Sequence, residues 1–200
     1  MSVITAAAVG QLRQKTGAGM MDCKKALVEA EGDAGKAEIL IRQKGLQKVA
    51  KKAGRTASEG FVGCYQHHDG KKAVLVELNC ETDFVARNEK FQELANNLAM
   101  HVLALRPTYV SREQVPEDAR KREEEVILGS EELQSKPEAA REKIVEGKMR
   151  KFFEQSCLLD QAFVKDETGK TIDQVLKDAI VNLGENIQIR RFTKIEVGSD

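Results

Sequence analysis

The sequence has no long hydrophobic run. No apolar stretch approaches the ~18 residues that a membrane-spanning helix needs, and charged residues make up 32% of the 200-residue chain. The first five residues lack the basic start and apolar core of a secretory signal. We therefore expect a cytoplasmic protein without membrane association.

Cysteine is scarce and scattered. The four residues are Cys23, Cys64, Cys80 and Cys157. None forms a Cys-x-x-Cys pair, so neither a zinc site nor a disulfide framework is predicted. Reduced and mostly buried thiols are the expected state.

Motifs of catalysis and nucleotide binding are also missing. The chain contains no Gly-x-x-x-x-Gly-Lys-Ser/Thr loop, no Gly-x-Ser-x-Gly and no His-Glu-x-x-His. Gly17-Ala18-Gly19 follows a predicted helix instead of a strand, which argues against a dinucleotide loop. His67-His68-Asp69 lies at a predicted hairpin tip, where exposed turn residues are favoured over metal ligands. We predict neither an enzyme nor a bound cofactor or metal.

A net charge of zero conceals an asymmetry that indicates two modules. Residues 1–56 hold eleven basic and five acidic side chains, whereas residues 57–200 hold twenty-one and twenty-seven. The first module, residues 1–54, reads as three helices at 5–15, 20–29 and 34–52, separated by glycine-containing turns. Only one of the adjacent Met20 and Met21 is expected to face the core.

The second module, residues 55–200, reads as an α+β fold. A hairpin of strands at 61–67 and 72–80 is followed by helices at about 88–105, 116–125, 137–147, 149–159 and 171–183, and by a strand within 186–197. The simplest arrangement is a three-stranded antiparallel sheet with helices on one face. The hairpin is apolar on both faces. We assign Val62, Cys64, Val74, Val76 and Leu78 to one face and Phe61, Tyr65, Ala73 and Leu75 to the other. The uncovered face predicts a homodimer with sheet packed on sheet.

Residues 82–88 carry the most informative pattern. They follow the apolar strand and precede a helix, so Asp83 and Phe84 stand side by side on a connection. A phenylalanine in such a place is either a satellite core residue or a contact for another protein.

A basic run follows the third helix and its exit. Its members are Arg42, Lys44, Lys48, Lys51, Lys52 and Arg55. The run is typical of a solvated helix face, but it could also contact an acidic partner or RNA phosphates. No aromatic residues interleave with it, so base stacking is not supported.

Three segments carry a resemblance to a known family. Residues 12–27 (LRQKTGAGMMDCKKAL) and 79–88 (NCETDFVARN) resemble the two signatures of elongation factor Ts, and residues 184–187 (GENI) followed by Arg190-Arg191 resemble its C-terminal strand entry. The likeness covers essentially the whole chain, with the length of the short members of the family. Ala162 departs from it, standing where the family often has proline, which could loosen a local turn.

The resemblance implies guanine-nucleotide exchange on elongation factor Tu in its GDP-bound and nucleotide-free states. The first module is then similar to a ubiquitin-associated (UBA) three-helix domain that docks on the partner's GTPase domain. Asp83 and Phe84 would disturb the partner's Mg²⁺ site while Thr82 and Val85 hold the turn. The implied partner contacts are Leu12, Arg13, Gly19, Met20, Met21, Arg87 and Asn88. The alternative is an RNA- or ribosome-binding module that uses the basic third helix.

Overall fold

The computed structural model describes residues 4–198, which form an α+β fold. Its helices are α1 (Ala6–Thr16), α2 (Met20–Glu29), α3 (Ala34–Lys52), α4 (Asp83–Ala86), α5 (Glu89–Leu105), α6 (Glu117–Leu128), α7 (Glu131–Gln134), α8 (Glu138–Ser156) and α9 (Ile172–Leu183). The strands are β1 (Glu59–Gln66), β2 (Lys72–Cys80) and β3 (Gln188–Glu196). Short 3₁₀ turns occur at Arg112–Gln114 and Leu158–Asp160.

α1 and α3 each begin where a side chain accepts a hydrogen bond from an amide of the first turn. The Thr5 hydroxyl accepts a hydrogen bond from the amide of Ala8, and the Asp33 carboxylate accepts one from Lys36. Gly17 ends α1 with a φ of +68°, a conformation that favours glycine. The three-helix prediction for this segment is therefore confirmed to within a residue at each boundary. The helices share a core of Val9, Leu12, Ala18, Cys23, Ala26, Leu27, Ala30 and Ala37.

The three strands form one antiparallel sheet in the order β1-β2-β3. Val74, Val76 and Leu78 on β2 are completely buried, whereas Val62 on β1 is 54% exposed and Leu75 on β2 is 39% exposed. The prediction that Val62 and Cys64 share a face with the buried β2 residues is therefore wrong. Successive side chains of β1 do alternate between the two faces of the sheet, but the sequence does not show which face of β1 lies on the buried face of β2.

Gly63 explains this alignment. It is the buried residue of β1, and its backbone lies directly against α5, where a Cβ would come within 2.3 Å of the Ala95 carbonyl. The amide of Cys64 also donates to Oδ1 of Asn96 at 3.0 Å. Glycine thus allows the strand and helix to approach closely enough for a direct hydrogen bond between them.

One long helix replaces two predicted ones. α8 runs without interruption through Gly147, where the sequence predicts a break between 137–147 and 149–159. An isolated glycine in a helix costs only about 1 kcal/mol relative to alanine, which the surrounding helix can absorb. Further along the chain, Ala162 pairs with Thr171 in an isolated antiparallel bridge, so the turn at this position is formed without the proline.

The chain divides into two compact units. The first comprises residues 1–60, 79–91 and 174–188, and the second comprises 61–78, 92–173 and 189–200. The predicted division between residues 54 and 55 stays a prediction, since these units each draw on several chain segments. Within residues 4–198, none of the helices combines the length and apolar character required to cross a membrane.

Candidate partner-binding site

The candidate site begins where β2 ends. Thr82 is extended, with φ −130° and ψ 157°, and Asp83–Ala86 then form a single helical turn, α4. The amide of Ala86 donates to the Thr82 carbonyl at 3.2 Å, and the amide of Arg87 donates to the Asp83 carbonyl at 3.0 Å. We call residues 82–88 the tip. The sequence predicts only an irregular connection here, so this ordered helical turn is a correction.

Phe84 projects from the tip into solvent. Its side chain is 82% exposed, while Ala86 on the same turn is buried and Val85 is half-buried. Burying a phenylalanine side chain typically stabilises a fold by about 1.5–3 kcal/mol, and this ring forgoes that gain. Of the two interpretations of a phenylalanine on a connection, a satellite core residue is therefore excluded, and a contact surface is favoured.

Asp83 forms an ion pair within the tip. Its carboxylate lies 3.0 Å from a guanidinium nitrogen of Arg87, one helical turn later, and both side chains are substantially exposed. Such i, i+4 pairs contribute about 0.3–0.5 kcal/mol. A partner can therefore replace this ion pair at little cost, which leaves both charges available for recognition.

Asn88 has a structural task in addition to its predicted role. Its side-chain oxygen accepts a hydrogen bond from the amide of Lys90 at 2.9 Å, and its carbonyl accepts one from Phe91 at 3.0 Å. Asn88 thus caps the start of α5. The side-chain amide nitrogen is not used in this cap and can donate to a partner.

A network of carboxylates and amides lies behind the tip. Glu185 accepts hydrogen bonds from the amides of Glu81 and Thr82, both at 3.0 Å, and from the Thr82 hydroxyl at 2.6 Å. In return, Glu81 accepts one from the amide of Asn186 at 2.6 Å, which holds the pKa of Glu81 below its ordinary value. These contacts were missed from the sequence. The only signal was the adjacency of Glu185 and Asn186 in the third resembling segment.

Residues at and just after the end of α3 belong to the same network. The Arg55 carbonyl accepts a hydrogen bond from the Asn186 side chain at 2.7 Å, and the Arg55 guanidinium lies 3.4 Å from Glu81. Lys52 donates to the carbonyl of Gly184. Residues of three distant chain segments therefore meet immediately behind the tip, within the first compact unit.

The predicted contacts of the three-helix segment divide into two groups. Leu12 is only 4% exposed and belongs to the core, so it is a packing residue instead of a surface contact. Arg13 and Gly19 are exposed. Met20 is 47% exposed and Met21 61% exposed.

The expectation that one of the two methionines is a core residue is wrong. The inward face of α2 is filled by Cys23, Ala26 and Leu27, and both methionines stay outside at its first turn. Two adjacent flexible apolar side chains on the surface suit an adaptable protein contact.

The basic helix α3 is less available than its sequence suggests. Lys44 is paired with Glu29 and Lys48 with Asp22 at 2.7 Å. Lys52 donates to the carbonyl of Gly184. The hydrogen bond from Lys48 lowers the pKa of Asp22. With three of its lysines engaged inside the chain, the helix is less suited to binding RNA phosphates than the sequence alone indicates.

The thiols and pockets do not suggest chemistry of their own. Cys23, Cys80 and Cys157 are buried, so the thiols are mostly buried as predicted; Cys64 is exposed, and none of the four is paired in a disulfide. Burial, reinforced by the negative charge of Glu185, raises the pKa of Cys80 to about 11. A pocket of about 60 Å³ lined by residues including Ala18, Gly45 and Val181 is far smaller than the ~300–1,000 Å³ of ligand sites.

Comparison with known proteins identifies the family. The family model described as elongation factor TS matches residues 41–181. An elongation factor Ts from Anaeromyxobacter dehalogenans is 54% identical over 198 residues, covering 99% of this chain and 90% of that protein. The elongation factor Ts of Thermosipho melanesiensis is 51% identical over 196 residues, covering 98% of this chain and all of that protein. That of Geobacter metallireducens is 53% identical over 195 residues, covering 98% and 90%. With a family match over most of its length and identity above one half to full-length relatives, the chain belongs to the elongation factor Ts family of translation elongation factors.

Proposed function

We propose that this chain is a guanine-nucleotide exchange factor for elongation factor Tu and that the tip promotes the release of GDP. The observation that carries the proposal is Phe84, an aromatic ring 82% exposed on an ordered helical turn. Membership of the elongation factor Ts family supplies the partner and the reaction class.

The chemistry of the partner makes such a ring effective. Mg²⁺ requires near-ideal octahedral oxygen ligands and bridges the phosphates of the nucleotide in GTPases of this type. A displacement of about an ångström in the loops that bear those ligands is enough to weaken nucleotide binding strongly. Phe84 would supply the rigid apolar wedge, since an aromatic side chain loses little conformational freedom on insertion. Asp83, released from Arg87, would act on the same site through its negative charge or as a hydrogen-bond acceptor.

The three-helix segment would provide the docking surface. We infer that it acts as a UBA-like module that binds the GTPase domain through Arg13, Gly19, Met20 and Met21, with Leu12 holding the helices in place. Arg87 and Asn88 would extend the contact beside the tip. In this arrangement the three-helix segment binds the partner and the tip disturbs the partner's Mg²⁺ site. Binding by the first would thus place the second close to that site.

The proposed activity is a change in binding equilibria, in which no covalent bond is made or broken. We therefore assign no catalytic residue, cofactor or metal to this chain. Linkage makes the effect reciprocal, because a protein that weakens the binding of GDP is itself bound more weakly in the presence of GDP. Nucleotide-free elongation factor Tu is accordingly the tightest expected partner. The expected location is the cytoplasm, where translation takes place.

The test is the release of a fluorescent GDP analogue from elongation factor Tu. We expect Phe84→Ala to slow release at least about 30-fold, the equivalent of the ~2 kcal/mol that defines a binding hot spot. Val126→Ala on α6 is a matched control, since Val126 is also an exposed apolar residue, at 69%. Release by Phe84→Ala at the wild-type rate would remove this ring from the mechanism. Binding to RNA that weakens steeply as salt rises, without GDP release, would instead favour an RNA-binding module.

We further propose that the chain forms a homodimer through the exposed face of its sheet. Val62 and Leu75 expose 54% and 39% of their surface there. Beside them Glu77 lies 2.7 Å from Arg191, so the surface carries charges of both signs, which a two-fold interface could pair between protomers. Leu75→Lys is expected to convert a dimer to a monomer in sedimentation velocity runs. A monomeric wild type at micromolar concentration would reject the dimer.

A further inference from the structure

We propose that Glu185 is a positioning residue that fixes the direction in which the tip presents Phe84. The inference rests on the proposed exchange function, and it assigns a role to a residue outside the tip. Glu185 follows α9, more than a hundred residues along the chain from Thr82, and its carboxylate reaches the backbone at the exact junction between β2 and α4.

The tip helix needs such support because it is very short. α4 comprises four residues, and a single helical turn is not stable by itself in water. Thr82 occupies the N-cap position of α4, but its side chain makes no capping hydrogen bond to that helix. Its hydroxyl donates to Glu185 instead, at 2.6 Å. The Thr82 side chain, which at an N-cap would ordinarily bond an amide of its own helix, thus bonds a residue from a distant part of the chain.

The geometry of the anchor restricts rotation as well as distance. One oxygen of Glu185 accepts from two successive amides, those of Glu81 and Thr82, and the other accepts from the Thr82 hydroxyl. Both oxygens are used, so the carboxylate plane fixes the orientation of the peptide unit between these residues. The amide of Asn186 donates in turn to the Glu81 carboxylate, which adds a second connection between the same two segments.

Phe84 cannot fix its own direction. With 82% of its surface exposed, the ring has few contacts within the chain, and its direction follows from the backbone that carries it. Thr82, two residues before the ring, is the part of that backbone to which Glu185 is bonded. Loss of the anchor is therefore expected to let α4 fray and the ring turn away, while the apolar core remains intact.

The experiment uses Glu185→Ala in the full chain, with Glu185→Gln as the conservative variant and Glu124→Ala as the control. Glu124 is an exposed glutamate on α6. Hydrogen exchange at the amides of Glu81 and Thr82 is measured first. We expect Glu185→Ala to accelerate it about tenfold, Glu185→Gln to do so less because its amide oxygen still accepts, and Glu124→Ala to leave it unchanged.

Release of the GDP analogue is then measured in two backgrounds. In the otherwise wild-type chain, we expect Glu185→Ala to slow release about tenfold. In the Phe84→Ala background the same substitution should change the rate less than about twofold, because its effect is transmitted through the ring. A merely structural role would give the same loss in both backgrounds, and that result would overturn the proposal.

The remaining outcomes separate this inference from the proposed function. Unchanged exchange at both amides in Glu185→Ala would overturn the anchor, even where Phe84→Ala slows release. A wild-type chain that fails to accelerate GDP release would overturn the exchange function, and the amide measurement alone would then decide whether Glu185 holds the turn.

Discussion

The substitution Gly63→Ala tests the packing of the sheet against α5. A Cβ at this position would lie 2.3 Å from both the carbon and the oxygen of the Ala95 carbonyl, and 2.8 Å from the amide nitrogen of Asn96. Separations below 3.0 Å are essentially never adopted by a Cβ, so the strand or the helix would have to move. The obstructing atoms belong to the backbone of a regular helix, and no side chain can rotate to make room.

The expected magnitude follows from these contacts. Forcing extra atoms into a packed interior typically costs about 1–3 kcal/mol. We expect the upper end, about 3 kcal/mol, because the hydrogen bond from Cys64 to Asn96 spans the same gap and would be stretched as the elements separate. In a chain of this size, each kcal/mol lowers the melting midpoint by about 2–4 °C, which gives a fall of about 6–12 °C.

The assay is thermal unfolding followed by circular dichroism, with Gly147→Ala as the matched control. Gly147 lies within α8 and a Cβ there would meet no atom within 4 Å. The same chemical change should therefore raise the free energy of unfolding by up to about 1 kcal/mol through helix propensity. A Gly63→Ala midpoint equal to that of the wild type would refute the steric argument.

Two further measurements examine buried groups. His101 is fully buried, accepting from the amide of Val164 at 3.3 Å and paired with Gln161 at 3.0 Å; burial lowers its pKa. As the pH falls, His101 is protonated in the unfolded chain before it is protonated in the folded one. The free energy of unfolding therefore decreases as the pH falls below about 6.5 towards the pKa of folded His101. Between about pH 7.5 and 5.5 the melting midpoint should fall less in His101→Gln than in the wild type, and an equal fall would contradict this assignment. Iodoacetamide at about pH 8 should label Cys64 well before Cys80, whose thiol is buried with a pKa of about 11; equal labelling by mass spectrometry would show that Cys80 is accessible.

Local features of the sequence were sufficient for most helices. α1 to α3 were predicted to within a residue because Thr5 and Asp33 are caps and Gly17 and Gly32 terminate the apolar periodicity on either side. β2 and α9 were equally clear, with an apolar run in one and a strongly amphipathic pattern in the other. In each case the determining interactions lie within a few residues of one another.

The predictions that were wrong concern features set by contacts beyond the local sequence pattern. The alignment of β1 depends on Gly63 meeting α5, some thirty residues later in the chain. The backbone at the start of α4 is bonded to Glu185, and periodicity cannot predict a contact between two loops. The exposure of Met20 was missed because α2 already fills its inward face with smaller residues.

The candidate site was located from the sequence, but its support was not. Phe84 was conspicuous because an aromatic residue stood outside any periodic element, and its exposure agrees with a contact role. The residues that hold its backbone are acidic or amide side chains, which are common on any surface. Only coordinates distinguish Glu185 from the other glutamates of the chain.

The hydrogen bonds between Glu185 and Thr82 can form only after both segments have been synthesised. Every residue of the tip leaves the ribosome long before residue 185 does, and the chain grows from its N-terminus. A nascent chain halted at residue 180 would display the aromatic ring without the carboxylate that orients it. The contact that holds Thr82 therefore forms only after α9 has been made, although the tip itself is synthesised much earlier.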